Sequence, residues 1–173
     1  MNVYDVINTA NKMRPGNNFD DDIVEQWISE CDSSIQIEVC KKKPNNIRKL
    51  RASAWDSKIE YNKGEVVSQK FSGEWHQYKA LNDVMPDGKS PNENNENWKE
   101  IPYDTYLVHP HDRLYVFYII AMMDYANMEY NNYANDMAMY ESALDEFEKW
   151  WQRTYGYTFK EGVDKYEADV RCT

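Results

Sequence analysis

A mainly α chain is predicted: a small bundle of about four helices with a long C-terminal helical hairpin, carrying an inserted β domain of about three short strands. Three observations predict it. First, Tyr130, Met137, Leu144 and Trp151 recur every seven residues, and Tyr133, Tyr140 and Phe147 each follow three positions after one of the first three. That spacing lays one aromatic-rich stripe along a helix, and Glu141, Asp145, Glu148 and Lys149 between the stripe positions suit a wet face. Second, residues 114–123 form a ten-residue run without charge, which as a helix is apolar, and therefore buried, on all sides. The run is about half of the ~20 residues needed to cross a bilayer, so it is expected in a helical core, or between a core and a partner, and not in a membrane. Third, between residues 51 and 101 the helical period disappears, and short apolar runs alternate with turns that contain Gly64, Ser72-Gly73, Pro86-Asp87-Gly88 and Ser90-Pro91-Asn92.

Composition bounds the function. The chain has 173 residues, enough for one or two domains with a real core. Its formal charge of -10 argues against a basic nucleic-acid patch as the main device. The N-terminus lacks a charged segment followed by an apolar run, so no secretion signal is expected. The three cysteines, Cys31, Cys40 and Cys172, are odd in number and lack Cys-x-x-Cys spacing, which argues against a disulfide framework or a zinc site. On one helix, Cys31 and Cys40 lie about 13–14 Å apart in rise, too far to bridge. Synthesis in a reducing cytoplasm is the expectation.

Taken in order, residues 2–12 are amphipathic, with Val3, Val6, Ile7 and Ala10 at helical spacing. Arg14-Pro15-Gly16-Asn17-Asn18 is a turn. Asp20-Asp21-Asp22 opens a second helix, where the dipole favours acids; metal-ligand spacing is absent, so these residues read as capping. Ile23, Trp27, Ile28, Ile35 and Val39 give its apolar face, with Cys31 as packing, and Lys41-Lys42-Lys43 suits its C-terminus before Pro44-Asn45-Asn46 ends it. Strands are expected at 64–70, 74–81 and 98–101. His109-Pro110-His111-Asp112 contains metal-ligand residue types, but nothing completes a ligand set, and a helix entry fits better. A break is expected at 127–132, and residues 156–173 read as a tail that docks on something. Domains are thus expected as a discontinuous helical domain at 1–50 and 102–160, a β module at 51–101 and a tail at 161–173. No Ser/His/Asp or Cys/His set, phosphate loop or metal cluster is visible in the sequence, so no enzyme activity, cofactor or metal is expected. Aromatics left off the stripe (Tyr115, Tyr118 and Tyr125, with Tyr157, Phe159 and Tyr166 in the tail) are the candidates for subunit or partner contact.

Within the β segment, Ala54-Trp55, Tyr61, Gly64-Glu65 and Val67 resemble the start of the small chitin-binding-type carbohydrate-binding modules of families 5 and 12. Gly73, Tyr78 and Ala80 resemble that family's second strand, and Pro91 and Trp98 its closing Pro and Trp. The resemblance implies a sugar-stacking surface. Trp75, on the hairpin, is the best exposed candidate, with Trp55, Tyr61, Tyr78 and Trp98 as further glycan-binding candidates or as the module's small core. Where the family carries tandem aromatics after the second-strand Ala, this chain reads Leu81-Asn82-Asp83-Val84.

The two flanks together resemble bacteriophage head–tail connector (adaptor) proteins from phages of Gram-positive hosts. The resemblance lies in Val3-Tyr4-Asp5-Val6-Ile7, Trp27-Ile28-Ser29-Glu30-Cys31-Asp32 and Asp112-Arg113-Leu114-Tyr115-Val116. It continues in Asp124-Tyr125-Ala126-Asn127-Met128-Glu129-Tyr130, Asn131-Asn132-Tyr133, Asp136-Met137-Ala138-Met139-Tyr140 and Trp150-Trp151-Gln152-Arg153-Thr154. The family's connection corresponding to 51–101 is usually much shorter, so the β module reads as an insertion. The resemblance implies a structural virion protein at the neck: a subunit of a ring, expected as a dodecamer, between the portal protein and a stopper or tail neck protein. Such a ring lines the channel through which genomic DNA passes without specific binding. The insertion holds seven Lys or Arg against nine acids, which leaves most of the net negative charge on the helical part. A negative lumen would keep DNA phosphates from sticking, and the same acidity equally serves solubility. The alternative is a glycan-binding protein that presents the β module to a surface glycan from a helical stalk.

Overall fold

The computed structural model describes residues 1–17, 19–86 and 89–155. Tyr157, Phe159, Tyr166, the tail expected at 161–173, Cys172, and the turn residues Asn18, Asp87 and Gly88 lie outside the described residues. The fold is mainly α with a small three-stranded antiparallel sheet, as the sequence predicts. The chain forms two compact units. Among the described residues, one takes Met1–Arg48 and the chain from Thr105 to Tyr155, and the other is Lys49–Asp104, a little wider on both sides than the expected insertion.

In the helical unit, α1 (Val3–Met13) starts at Asn2, whose side-chain oxygen accepts from the Tyr4 backbone N–H at 2.9 Å and so caps the first turn. It buries Val3, Val6, Ile7 and Ala10, one stripe at helical spacing. The helix α2 (Asp21–Ser34) begins after Asp20, whose carbonyl accepts from the N–H groups of Ile23 and Val24; the Asp20 side chain makes no capping bond. Asp21 and Asp22 lie in the first turn, where the helix dipole favours them.

The buried stripe of α2 is Val24, Ile28, Cys31 and Asp32, continued by Ile35, so the face is rotated from the expected one: Ile23 is exposed and Trp27 half-buried, packing edge-on against Phe19 at 5.2 Å. The α-helix also ends sooner than expected. Residues Ile35–Val39 form a wider π-helical turn, and Lys41 then adopts a positive φ of 54°. The β-branched Ile35, Ile37 and Val39 crowd a regular turn. The buried Gln36 side chain also has partners elsewhere: its amide donates to the Arg48 carbonyl at 2.9 Å and accepts from the Arg48 N–H at 2.8 Å.

Helix α3 (Arg113–Ala126) buries residues all round, including Leu114, Tyr115, Ile119, Ile120 and Met123, and packs against α1, α2 and α4. The expected break follows it. Asn127 and Met128 donate back to the carbonyls of Met123 and Tyr125, Met128 takes a left-handed φ of 62°, and Glu129 N–H returns to the Asp124 carbonyl at 2.8 Å. Helix α4 (Tyr130–Tyr155) then runs 26 residues. Of its heptad stripe, Tyr140 and Phe147 are buried and Tyr133, Met137, Leu144 and Trp151 half-buried, while Tyr130 at its start is exposed.

In the β unit, β1 (Val66–Phe71), β2 (Glu74–Ala80) and β3 (Trp98–Ile101) pair antiparallel in sequence order. The two-residue β1–β2 connection, Ser72-Gly73, has positive φ at both positions (53° and 92°), the primed turn that matches strand twist. Tyr61, Val67, Tyr78, Ala80, Val84 and Trp98 form the core, with Trp55 packed against it. Tyr61 meets Trp98 edge-on at 5.4 Å and exchanges backbone hydrogen bonds with Val84 at 3.0 and 2.7 Å. Trp98 is the largest side chain of this small core. Trp98→Ala is expected to cost about 3–5 kcal/mol, read as lost hydrogen-exchange protection at the Val67 and Tyr78 amides before that at Ile119 and Ile120.

Candidate interaction and polar sites

The structure sorts the candidate glycan-binding aromatics into two groups. Tyr61, Tyr78 and Trp98 are buried in the module's core and offer no face to a sugar; their rings replace the apolar side chains that a unit this small lacks. Trp55 is half-buried against the same core. Trp75 is half-buried at the sheet surface, with the Arg51 guanidinium 4.1 Å from its ring centroid and Lys70 Nζ at 5.7 Å. A cation already stacks on the electron-rich ring that a sugar would need. These five residues therefore do not form one continuous stacking platform.

The subunit-contact candidates also separate. Tyr115 is fully buried, which removes it from any interface: its position on α3 faces the bundle interior, where its hydroxyl finds a polar partner. Tyr118 is half-buried and packs on Tyr140 at 5.1 Å. Tyr125 is 53% exposed and stands with Tyr130 (60% exposed) and Met128 (75% exposed) at the α3–α4 turn. Its ring lies 6.1 Å from that of Tyr130 and 5.3 Å from that of Tyr133. These side chains leave the α3–α4 turn with exposed aromatic and methionine surface.

A second surface feature is an open groove between α3 and α4, of about 370 Å³, lined by Phe117, Ala138, Met139, Ser142, Ala143 and Glu146. The small side chains at 138, 142 and 143 leave the space. The Arg113 guanidinium lies over the Phe117 ring at 5.2 Å.

Two polar clusters, one buried and one partly open to water, hold the helical unit. In one, Asp32 is 1% exposed and its Oδ1 accepts from the Tyr115 hydroxyl and from the Tyr106 N–H at 3.2 Å; Leu107 N–H donates to the Tyr115 hydroxyl oxygen at 3.0 Å. Asp32 Oδ2 has no hydrogen-bond partner among the described residues. Burial pushes the Asp32 carboxyl up to about 6, against the bonds from Tyr115 and Tyr106 and the charge of Arg48, which favour ionisation. In the other, Arg14 Nε and Nη2 donate to both oxygens of Asp124 at 2.9 and 3.0 Å, and Nη2 also reaches Asp136. Burial opposes ionisation of Asp124, but the hydrogen bonds with Arg14 and Asp136 and the Arg14 charge together outweigh it and hold its pKa down, whereas burial and the neighbouring Asp124 raise that of Asp136. One guanidinium thus joins the ends of α1 and α3 to the start of α4.

Asp32 had a signal in the sequence, since it falls on the apolar stripe one turn after Ile28. Arg14 had none, because its partners are 110 and 122 residues away. The His109-Pro110-His111-Asp112 segment divides. His109 is exposed, His111 packs between Phe147 (5.2 Å) and Trp150 (4.9 Å), and Asp112 lies 3.6 Å from the Met1 amine. Among the described residues no group of three His, Cys, Asp or Glu side chains is placed to hold a metal ion, and no helix is long and apolar enough to cross a membrane.

No protein-family model, curated protein or solved structure matches the chain.

Two outcomes follow from the polar clusters. The folded Asp32 pKa lies above its unfolded value of about 3.9, so the native state holds the extra proton between the two. Its contribution is full below the unfolded value and is lost as pH rises through about 6. Asp32→Asn, which cannot titrate, is expected to flatten the decline in stability from pH 4 to pH 7 by on the order of 3 kcal/mol, measured by denaturant melts across that range. Arg14→Ala leaves two neighbouring carboxylates without their cation. A loss of roughly 2–4 kcal/mol at pH 7 is expected, moderated because the guanidinium is partly open to water, and adding Asp124→Asn recovers part of it in the same melts.

Proposed function

We propose that this chain is a structural subunit of a phage neck, a head–tail connector that forms a ring between the portal and the next neck or tail component. The observation that carries this reading is where the resembling residues fall. Positions 3–7, 27–32, 112–116, 124–130 and 150–154, far apart in sequence, all belong to the one helical unit, and the unmatched stretch is the separate unit Lys49–Asp104. A family pattern broken by an insertion produces that division. The exposed Tyr125, Met128 and Tyr130 at the α3–α4 turn supply an apolar contact surface for a neighbouring subunit or the portal. The net charge of -10 suits a channel wall that DNA passes without sticking. In this reading the subunit is not an enzyme, the virion neck is its location, and genomic DNA is in transit rather than bound.

The glycan-binding alternative is weaker, because three of its five aromatics lie in the module core and Arg51 stacks on Trp75. The test is immunogold electron microscopy with an antibody raised against the unit Lys49–Asp104, on particles purified from lysates of the producing culture. Label at the head–tail junction is expected. Label elsewhere on the particle, or strong lysate staining with bare particles, sinks the connector reading.

A further inference from the structure

We propose that the face of the β sheet opposite its core is a contact surface for the phosphate backbones of duplex DNA. The β unit as a whole has slightly more acids than bases, but its sheet sorts them by face. In the register, Lys70 is opposite Trp75, Gln77 opposite Ser68 and Ile101, and Lys79 opposite Val66 and Lys99, so these residues share one face. The core residues Val67, Tyr78, Ala80 and Trp98 share the other, with Glu74 and Glu100. All three lysines of the strands are thus on the face away from the core, and both glutamates are on the core side. Arg51 joins the lysines: Gln77 donates to the Leu50 carbonyl at 2.8 Å, which fixes the chain beside this face, and the Arg51 guanidinium lies over the Trp75 ring. Arg51, Lys70, Lys79 and Lys99 are exposed.

Charge and spacing favour this partner. Lys79 and Lys99 stand directly opposite each other, an arrangement that costs a sheet stability and that an anion laid across the pair offsets. Lys70 and Arg51 make the other end, about 14 Å away along β2, which is four residues at ~3.4 Å each. That span is close to the ~12 Å width of the major groove, so the two ends can meet the two backbones that flank it. Unpaired bases would need an open ring to stack on. Trp75 is half-buried with the Arg51 guanidinium on its ring, so it holds a phosphate donor in place instead. A contact to a few phosphates is weak and independent of sequence, and a duplex slides along it. The inference goes beyond the neck reading and does not rest on it, and it is compatible with DNA in transit, since most of the net negative charge is on the helical unit.

The test is fluorescence anisotropy of a short labelled DNA duplex, titrated with the full chain across about 50–200 mM salt. A dissociation constant of about 1–100 μM is expected at the low end, and log affinity falls against log salt with a slope of about −3.6, from four contacts at ~0.9 each. Lys79→Gln with Lys99→Gln brings the slope to about −1.8, while Lys12→Gln with Lys58→Gln, exposed but outside the sheet, leaves it unchanged. Relief of the Lys79–Lys99 repulsion keeps the melting temperature level or higher, so a lost contact is told apart from a lost fold. Absence of binding at about 50 mM salt overturns the proposal, as does a slope indifferent to Lys79 and Lys99. Tighter binding of the matching single strand gives the surface to stacked bases, and displacement of the duplex by poly-glutamate at equal charge gives it to an acidic protein; either result overturns the duplex assignment. Binding without gold label at the junction leaves this contact standing and removes the neck placement; label without binding does the reverse.

Discussion

The helical unit is made from two pieces of chain far apart in sequence, and it depends on closing the gap between them. The C-terminal end of α2 does this. Gln36 grips the Arg48 backbone through both halves of its amide, and Asp32, one turn earlier, accepts from the Tyr106 N–H. Arg48 also reaches the Thr105 carbonyl at 3.5 Å, and Thr105 N–H donates to the Met1 carbonyl at 3.0 Å. The last residues of the first piece and the first residues of the second are thus fixed on the same two turns of one helix. Loop-closure entropy grows only slowly with the length of the intervening chain, so what matters is how firmly the two ends are held. With them held, α3 can enter the bundle as though the interruption were not there.

The polar atoms that do this work are inside the unit, which sets their electrostatics. The Asp32 carboxyl accepts two hydrogen bonds on Oδ1, has no partner for Oδ2 among the described residues, and has Arg48 only as a more distant favourable charge. The Arg14 cluster solves the opposite problem, with one cation for two acids. Together they show a division of labour in the bundle: apolar stripes bring the helices together, and a few buried polar groups fix which residues of distant segments meet.

Much of this was legible in the sequence. The uncharged run at 114–123, the seven-residue recurrence along α4 and the Ser72-Gly73 turn each follow from local periodicity or turn chemistry, and each element formed where expected. What was not legible depends on partners far along the chain. Ile23 and Val24 are equally apolar, and only the position of α3 decides that Val24 is the buried one. Tyr115 looks like a surface aromatic until Asp32 supplies a partner for its hydroxyl. Tyr61, Tyr78 and Trp98 have the residue types of a sugar platform and also of a small core; burial decides between the two uses, and spacing does not report burial.

The wide turn at Ile35–Val39 gives the end of α2 a rotational phase of its own. A π-helical turn accommodates one residue more than the α-helix it interrupts. Removing one residue there would close it to a regular α-helical turn. Gln36 lies within that turn, and its amide holds both backbone groups of Arg48. The width of a single turn therefore bears on how the two pieces of the helical unit are held together, and a one-residue deletion at this point would act on that grip and not only on the length of the chain.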